Sequence, residues 1–150
     1  MKRFLLSFFL LFPLTFLSAQ KNILFISVDD LKPMFKSYGH QDMITPNIDA
    51  LAAKGTSFLN TSTQQAICAP SRASLLTGLY PDNTRVWDLE TQIRDENPNV
   101  VTLPQHFKNN GYYSVGLGKI FDSRSVDNGY DSKSWSCLLY TSDAADEEAS

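Results

Sequence analysis

The sequence predicts an α/β fold with a mostly parallel sheet flanked by helices. The run "NILFISV" (22–28) is continuously apolar, rich in β-branched and aromatic residues, and bounded by polar ones. That composition suits a strand buried on both faces, as in a parallel sheet. After it, strand-like runs alternate with segments that carry proline near the start and glycine at the end, which are helix start and stop signals. A chain of 150 residues makes one small domain or part of a larger one.

The elements follow in order. Thr45 is placed to cap a helix whose first residue is Pro46, with Ile48, Leu51 and Ala52 as its buried stripe and Gly55 as its stop. "TSFLN" (56–60) reads as a short strand. Ser71 to Leu79 reads as a second helix, which puts Cys68 at a helix amino terminus. "TLPQHFKNNG" (102–111) is a third helix. "YYSVGLGK" (112–119) is then a strand that delivers Lys119 just beyond its end.

The first residues carry a separate message. Lys2 and Arg3 precede an apolar stretch from Phe4 to Leu17, and Ser18-Ala19 supplies small residues for cleavage. This is the pattern of a secretory signal peptide, residues 1–19, with Gln20 as a neighbouring cut site. The apolar stretch is short for a span and contains Pro13, so no stable membrane anchor is expected. The mature chain is expected to work outside the cytoplasm, in the periplasm or extracellular space, or in a lysosome-like compartment of a eukaryote. The formal net charge is −3 and no basic stripe follows the first residues, which argues against nucleic acid as a partner.

Two features carry chemistry. Asp29-Asp30 stands at the carboxyl end of the first predicted strand, the edge at which open α/β sheets bind ligands. Adjacent carboxylates there are costly unless a cation pairs with them. Cys68 lies within "QQAICAPSRASLLTG" (64–78), and the other cysteine is Cys137. In an oxidising compartment a disulfide between the two is the plain reading. A thiolate nucleophile is another, since a helix amino terminus and an arginine both favour it. No second Cys or His lies at metal-ligand spacing, and neither His40 nor His106 sits in a motif that suggests a catalytic base.

The eleven residues "CAPSRASLLTG" resemble the signature of the formylglycine-dependent sulfatases, with "ISVDDLKP" upstream and "GLGKIF" downstream in that family's order. The resemblance implies an alkaline-phosphatase-like fold, present here as its N-terminal part. It implies that a formylglycine-generating maturation enzyme reads the cysteine motif in the unfolded chain and oxidises Cys68 to an aldehyde. In the family the hydrated aldehyde attacks sulfur through one hydroxyl and expels sulfate through the other, so a difficult step is split in two. Asp29 and Asp30 match the family's paired metal-binding aspartates, whose hard oxygens suit Ca²⁺ or Mg²⁺. Cys68 would be both nucleophile and metal ligand. Arg72 would hold the formylglycine hydrate, and Lys119 would contact the substrate sulfate.

Within the family the likeness is to the iduronate-2-sulfatase branch, through "SVDDLKP", "PNIDALAAKG", "QQAICAPSR", "YPDNTRVWDLET" and "TLPQHFKNNGYYSVGLGKIF". That implies a sulfated sugar as substrate, such as a 2-O-sulfated uronate in a polysaccharide. Arg85, Trp87 and Asp88 are candidates to approach it, with a structural role as an equal alternative. That branch commonly has a histidine shortly after the "GK-x-Phe" segment, whereas Asp122 follows Phe121 here.

The family's later metal ligands, histidine acid and second sulfate-binding lysine have no counterpart before Ser150. Residues 20–136 are therefore expected to be the N-terminal part of a sulfatase catalytic domain. That part would lack a complete metal site and much of the core. Residues 137–150 depart from the family, and "CLLYTSDAADE" resembles an adapter sequence translated in frame. Two rival readings remain at this point: a phosphoesterase of the same superfamily, or a secreted binding module bridged by Cys68 and Cys137.

Overall fold

A computed structural model describes residues 21–127 and 130–139. The predicted signal peptide and most of the 137–150 tail lie outside the described residues. Five α-helices appear among the described residues, in chain order: α1 (Pro46–Lys54), α2 (Cys68–Thr77), α3 (Pro81–Thr84), α4 (Ile93–Glu96) and α5 (Leu103–Asn109). Two strands follow, β1 (Val115–Leu117) and β2 (Cys137–Leu139), which pair in parallel with Val115 opposite Cys137.

The core forms around α2. Ala69, Ala73 and Leu76 pack with Val86, Ile93, Phe121 and Val126, and Leu89, Ile120 and Trp135 close the edges. α2 begins at Cys68, three residues earlier than the sequence suggests. Pro70 is accommodated because the first turn has no N–H partners to lose, and the first intrahelical bond runs from Ser71 N to Ile67 O at 3.1 Å. The helix stops at Gly78, whose φ of +69° is left-handed and whose N–H returns to Ser74 O. α5 starts as expected: Thr102 accepts from Gln105 N, and Pro104 occupies the first turn.

A buried polar network fastens this half of the molecule. Arg94 binds both carboxylate oxygens of the fully buried Asp131, at 2.7 and 2.8 Å, and also reaches Val100 O and Gln105 Oε1. Asp131 accepts from Ser134 Oγ, which shares a hydrogen bond with Thr102. The network ties α4 and α5 to the turn Ser132–Ser134.

Several expectations are corrected. Residues 22–28 form no strand: Leu24 and Ile26 are 84% and 71% exposed, and no described segment pairs with them. A strand exists through its ladder, and apolar composition alone supplies no neighbour. Residues 56–60 form no strand for the same reason, with Phe58 and Leu59 exposed. α1 has the predicted bounds but no buried residue; Ile48 and Leu51 face solvent, and Thr45 makes no cap bond to the backbone. The strand predicted over 112–119 shrinks to three residues. Its buried position is Gly116, where a Cβ would lie 2.9 Å from the Trp135 ring. The sheet is parallel as expected but has only two strands among the described residues.

Candidate active site

The start of α2 sets the site. Ile67 is extended, so the chain turns into the helix at Cys68, and Arg72 follows one turn later on the same face. Arg72 is buried and works as a three-way connector. Its Nη2 donates to Asp29 Oδ1 at 2.7 Å, and its Nη1 donates to the carbonyls of Lys119 at 2.5 Å and Ile120 at 2.9 Å. Lys119 Nζ lies 3.0 Å from the other Asp29 oxygen and 4.0 Å from Cys68 Sγ. Segments far apart in sequence are thus joined by one arginine and one carboxylate.

The electrostatics are reciprocal. Partial burial pushes Asp29 up, but hydrogen bonds from Arg72 and Lys119, with their charges, outweigh it and hold the carboxyl below its usual value. Burial likewise pushes Lys119 down, and its bond to Asp29, with the charges of Asp29, Cys68 and Asp122, lifts it above the ordinary lysine value. Lys119 is therefore a firmly charged ammonium beside Cys68.

Asp29, Asp30 and Cys68 each offer one ligand atom, and these atoms lie within 4.8 Å of one another. Asp30 is held in the left-handed region at φ +50°, which turns the chain so that two successive carboxylates reach one place. As encoded, the set is two hard oxygens and one soft sulfur. Ca²⁺ and Mg²⁺ take oxygen ligands, so the set suits them once position 68 carries oxygen in place of sulfur. Asp29 already accepts two hydrogen bonds, but an ionised carboxylate has about four lone-pair sites. Arg72 Nε is buried without a hydrogen-bond partner among the described residues. The donor chemistry therefore fits a converted residue 68 with a hard divalent cation. With three protein donors among the described residues, further ligands are needed.

All five residues singled out in the sequence thus converge: Asp29, Asp30, Cys68, Arg72 and Lys119. Arg85, Trp87 and Asp88 make contacts of the structural kind. Asp88 accepts from the N–H groups of Glu90 and Thr91 and from the Thr91 hydroxyl, so it organises its own turn. Arg85 is largely exposed and lies 3.7 Å from Glu96. Trp87 Nε1 donates to Asp82, and its carbonyl accepts from Gln65 Nε2 at 2.8 Å, which ties that loop to the segment before Cys68. The two cysteines are free thiols. The Lys119 and Ile120 carbonyls were not legible as site groups, because every residue has a carbonyl and only the fold aims these two at Arg72.

The sulfatase family model matches residues 21–143, and the chain belongs to that family. Iduronate 2-sulfatase of Mus musculus is 49% identical over 100 residues, covering 67% of this chain and 18% of the relative. The Homo sapiens iduronate 2-sulfatase is 45% identical over 121 residues, 79% of this chain and 22% of the relative. A sulfatase of Formosa agariphila is 39% identical over 117 residues, 73% of this chain and 23% of the relative. The chain spans about a fifth of the length of these curated relatives. Family membership brings an alkaline-phosphatase-like α/β fold, of which the described residues form a helix-rich part. No helix among them is long and apolar enough to cross a membrane.

Proposed function

We propose that the whole protein is a sulfuric ester hydrolase that removes sulfate from a sulfated sugar, a 2-O-sulfated uronate of a polysaccharide. The observation that carries the reading is the convergence of Asp29, Asp30, Arg72 and Lys119 on Cys68. The sugar is suggested by the relatives named iduronate 2-sulfatase and by an ulvan-active sulfatase of Formosa agariphila, 40% identical over 104 residues. The leader pattern supports export, and the cysteine motif supports a formylglycine-generating enzyme as partner in maturation.

Formylglycine at position 68, with a divalent cation such as Ca²⁺, supplies an oxygen nucleophile of lowered pKa and neutralises sulfuryl charge. The chain's own groups do the rest. Asp29 and Asp30 hold the cation, and Cys68 presents its Cβ at the start of α2. Lys119, kept protonated by Asp29, places its ammonium where a sulfate oxygen beside residue 68 would lie. Arg72 fixes Asp29 relative to the Lys119 loop.

The test is to produce the whole protein with a formylglycine-generating enzyme, analyse the peptide containing residue 68 by mass spectrometry, and measure sulfate released from 2-O-sulfated uronate oligosaccharides. Formylglycine at 68 with release that Cys68→Ala abolishes is expected. An intact thiol or a disulfide at 68 would overturn the reading.

A further inference from the structure

Lys119 stands just after β1, beyond Gly118, whose φ of +69° takes the backbone out of strand geometry. The sheet therefore does not hold the lysine in place. At the start of segment 119–122, Arg72 Nη1 grips the Lys119 and Ile120 carbonyls, and Ile120 N closes a tight turn onto Gly118 O at 3.0 Å. At its end stands Asp122, 1% exposed. Its Oδ1 accepts from Arg124 N at 3.1 Å and Arg124 Nε at 2.9 Å, and its Oδ2 accepts from Arg124 Nη2 at 3.0 Å. The Asp122 carbonyl accepts from Ser125 N and Oγ, and the Arg124 carbonyl accepts from Gln92 Nε2. Between the two ends Phe121 is buried, edge-on to Trp135 at 6.2 Å.

We propose that Asp122 is a positioning residue: clasped by Arg124, it anchors the far end of the segment whose near end Arg72 holds, and so aims the Lys119 ammonium at residue 68. This rests on Lys119 being the sulfate contact of the proposed hydrolase. The carboxylate oxygens of Asp122 are engaged with Arg124, so the side chain acts through the loop and not on the substrate.

A sulfate oxygen is present in substrate, transition state and product, so a contact that grips it acts on all three alike. Loosening Lys119 should therefore move KM and the inhibition constant of inorganic sulfate together and leave kcat per formylglycine nearly unchanged. Asp122→Asn keeps an acceptor for the Arg124 N–H and loses the charge that clasps the guanidinium. In the whole, matured protein it is expected to raise both constants about five- to tenfold, less than the loss of a direct charge-assisted hydrogen bond. Asp131→Asn serves as the control, a buried acid in a network that makes no contact with Lys119. It should lower Tm without moving either constant. A lower Tm in Asp122→Asn with KM and sulfate inhibition unchanged would overturn the proposal. Acetylation of Lys119 by acetic anhydride, followed by peptide mass spectrometry, needs no turnover. With rates measured across pH to separate protonation from access, a larger rate constant for the free amine in Asp122→Asn than in the parent supports the anchor, and an equal one refutes it. A parent protein that releases no sulfate refutes the hydrolase reading instead, and the labelling result still decides whether Asp122 restrains Lys119.

Discussion

Arg72 Nη2 lies 2.7 Å from Asp29 Oδ1, so the first acidic residue of the site is held by the helix that carries Cys68. The same guanidinium also closes two carbonyls from the Lys119 loop. One side chain therefore sets the relative positions of the Asp29 carboxylate, the residue at 68 and the Lys119 loop.

Replacing Arg72 should consequently cost both stability and organisation. Arg72→Ala removes three acceptors' partner from a buried position. Because Asp29 remains about a third exposed, the loss is expected to be about 2–3 kcal/mol, below that of a fully buried pair. Arg72→Lys keeps the charge but lacks the planar fork that spans three acceptors, so it should recover less than half of the loss. Denaturant unfolding of the whole protein checks both, and equal midpoints for parent and Arg72→Ala would refute the connector role.

The Asp29–Lys119 contact has a defined pH window. Asp29 is lowered from 3.8, so its stabilising contribution is complete above that value and is lost as pH falls through the lower folded-state value. Lys119 is raised from 10.5, so its contribution is complete below that value and is lost as pH rises through the higher folded-state value. Between those limits the pair should be indifferent to pH. The Tm difference between the parent and Asp29→Asn should stay level from about pH 5 to pH 9 and narrow toward acid below about pH 4. A difference that narrowed between pH 6 and pH 8 would show that another group controls the contact.

The sequence was most informative where chemistry and local geometry coincide. Pro104 and Thr102 mark the start of α5, and Gly78 marks the end of α2, because capping depends on residues within one turn. The five residues that converge around Cys68 could be read from motif positions. The strands could not, because a strand needs a neighbour: residues 22–28 are more apolar than β1, yet only β1 is paired. The partners of Asp122 and Asp131 were equally hidden. One departs from the expected histidine without showing what it binds, and the other meets an arginine 37 residues earlier in the chain.

That distant pair carries its own prediction. Asp131 is fully buried, and Arg94 is nearly so. Asp131→Asn leaves the guanidinium facing a neutral amide that accepts through one oxygen, while Asn still tolerates the left-handed backbone at φ +58°. The change should therefore report on charge and hydrogen bonding and not on backbone strain. A destabilisation of about 3 kcal/mol is expected, larger than for Asp88→Asn, whose carboxylate organises only an exposed turn. Unfolding curves for the two variants would decide it, and an equal or larger loss in Asp88→Asn would refute the ranking.

Asp30 offers the cleanest test of the metal set. Asp29 is tied to Arg72 and Lys119, so changing it disturbs the loop as well as any cation. Among the described residues the Asp30 carboxylate makes no hydrogen bond or ion pair, and Asn also accommodates its φ of +50°. Asp30→Asn should therefore leave the cation-free stability nearly unchanged while removing one hard, charged ligand. A cation that binds only the folded protein adds about 2.7 kcal/mol when present at about a hundredfold over its Kd. Ca²⁺ is accordingly expected to raise the Tm of the whole, matured protein, chelation to reverse the rise, and Asp30→Asn to abolish most of it. The Cys68→Ala variant, lacking the third donor, should show an intermediate loss. An undiminished Ca²⁺ shift in Asp30→Asn would place the cation elsewhere and dissolve the assignment of this carboxylate pair.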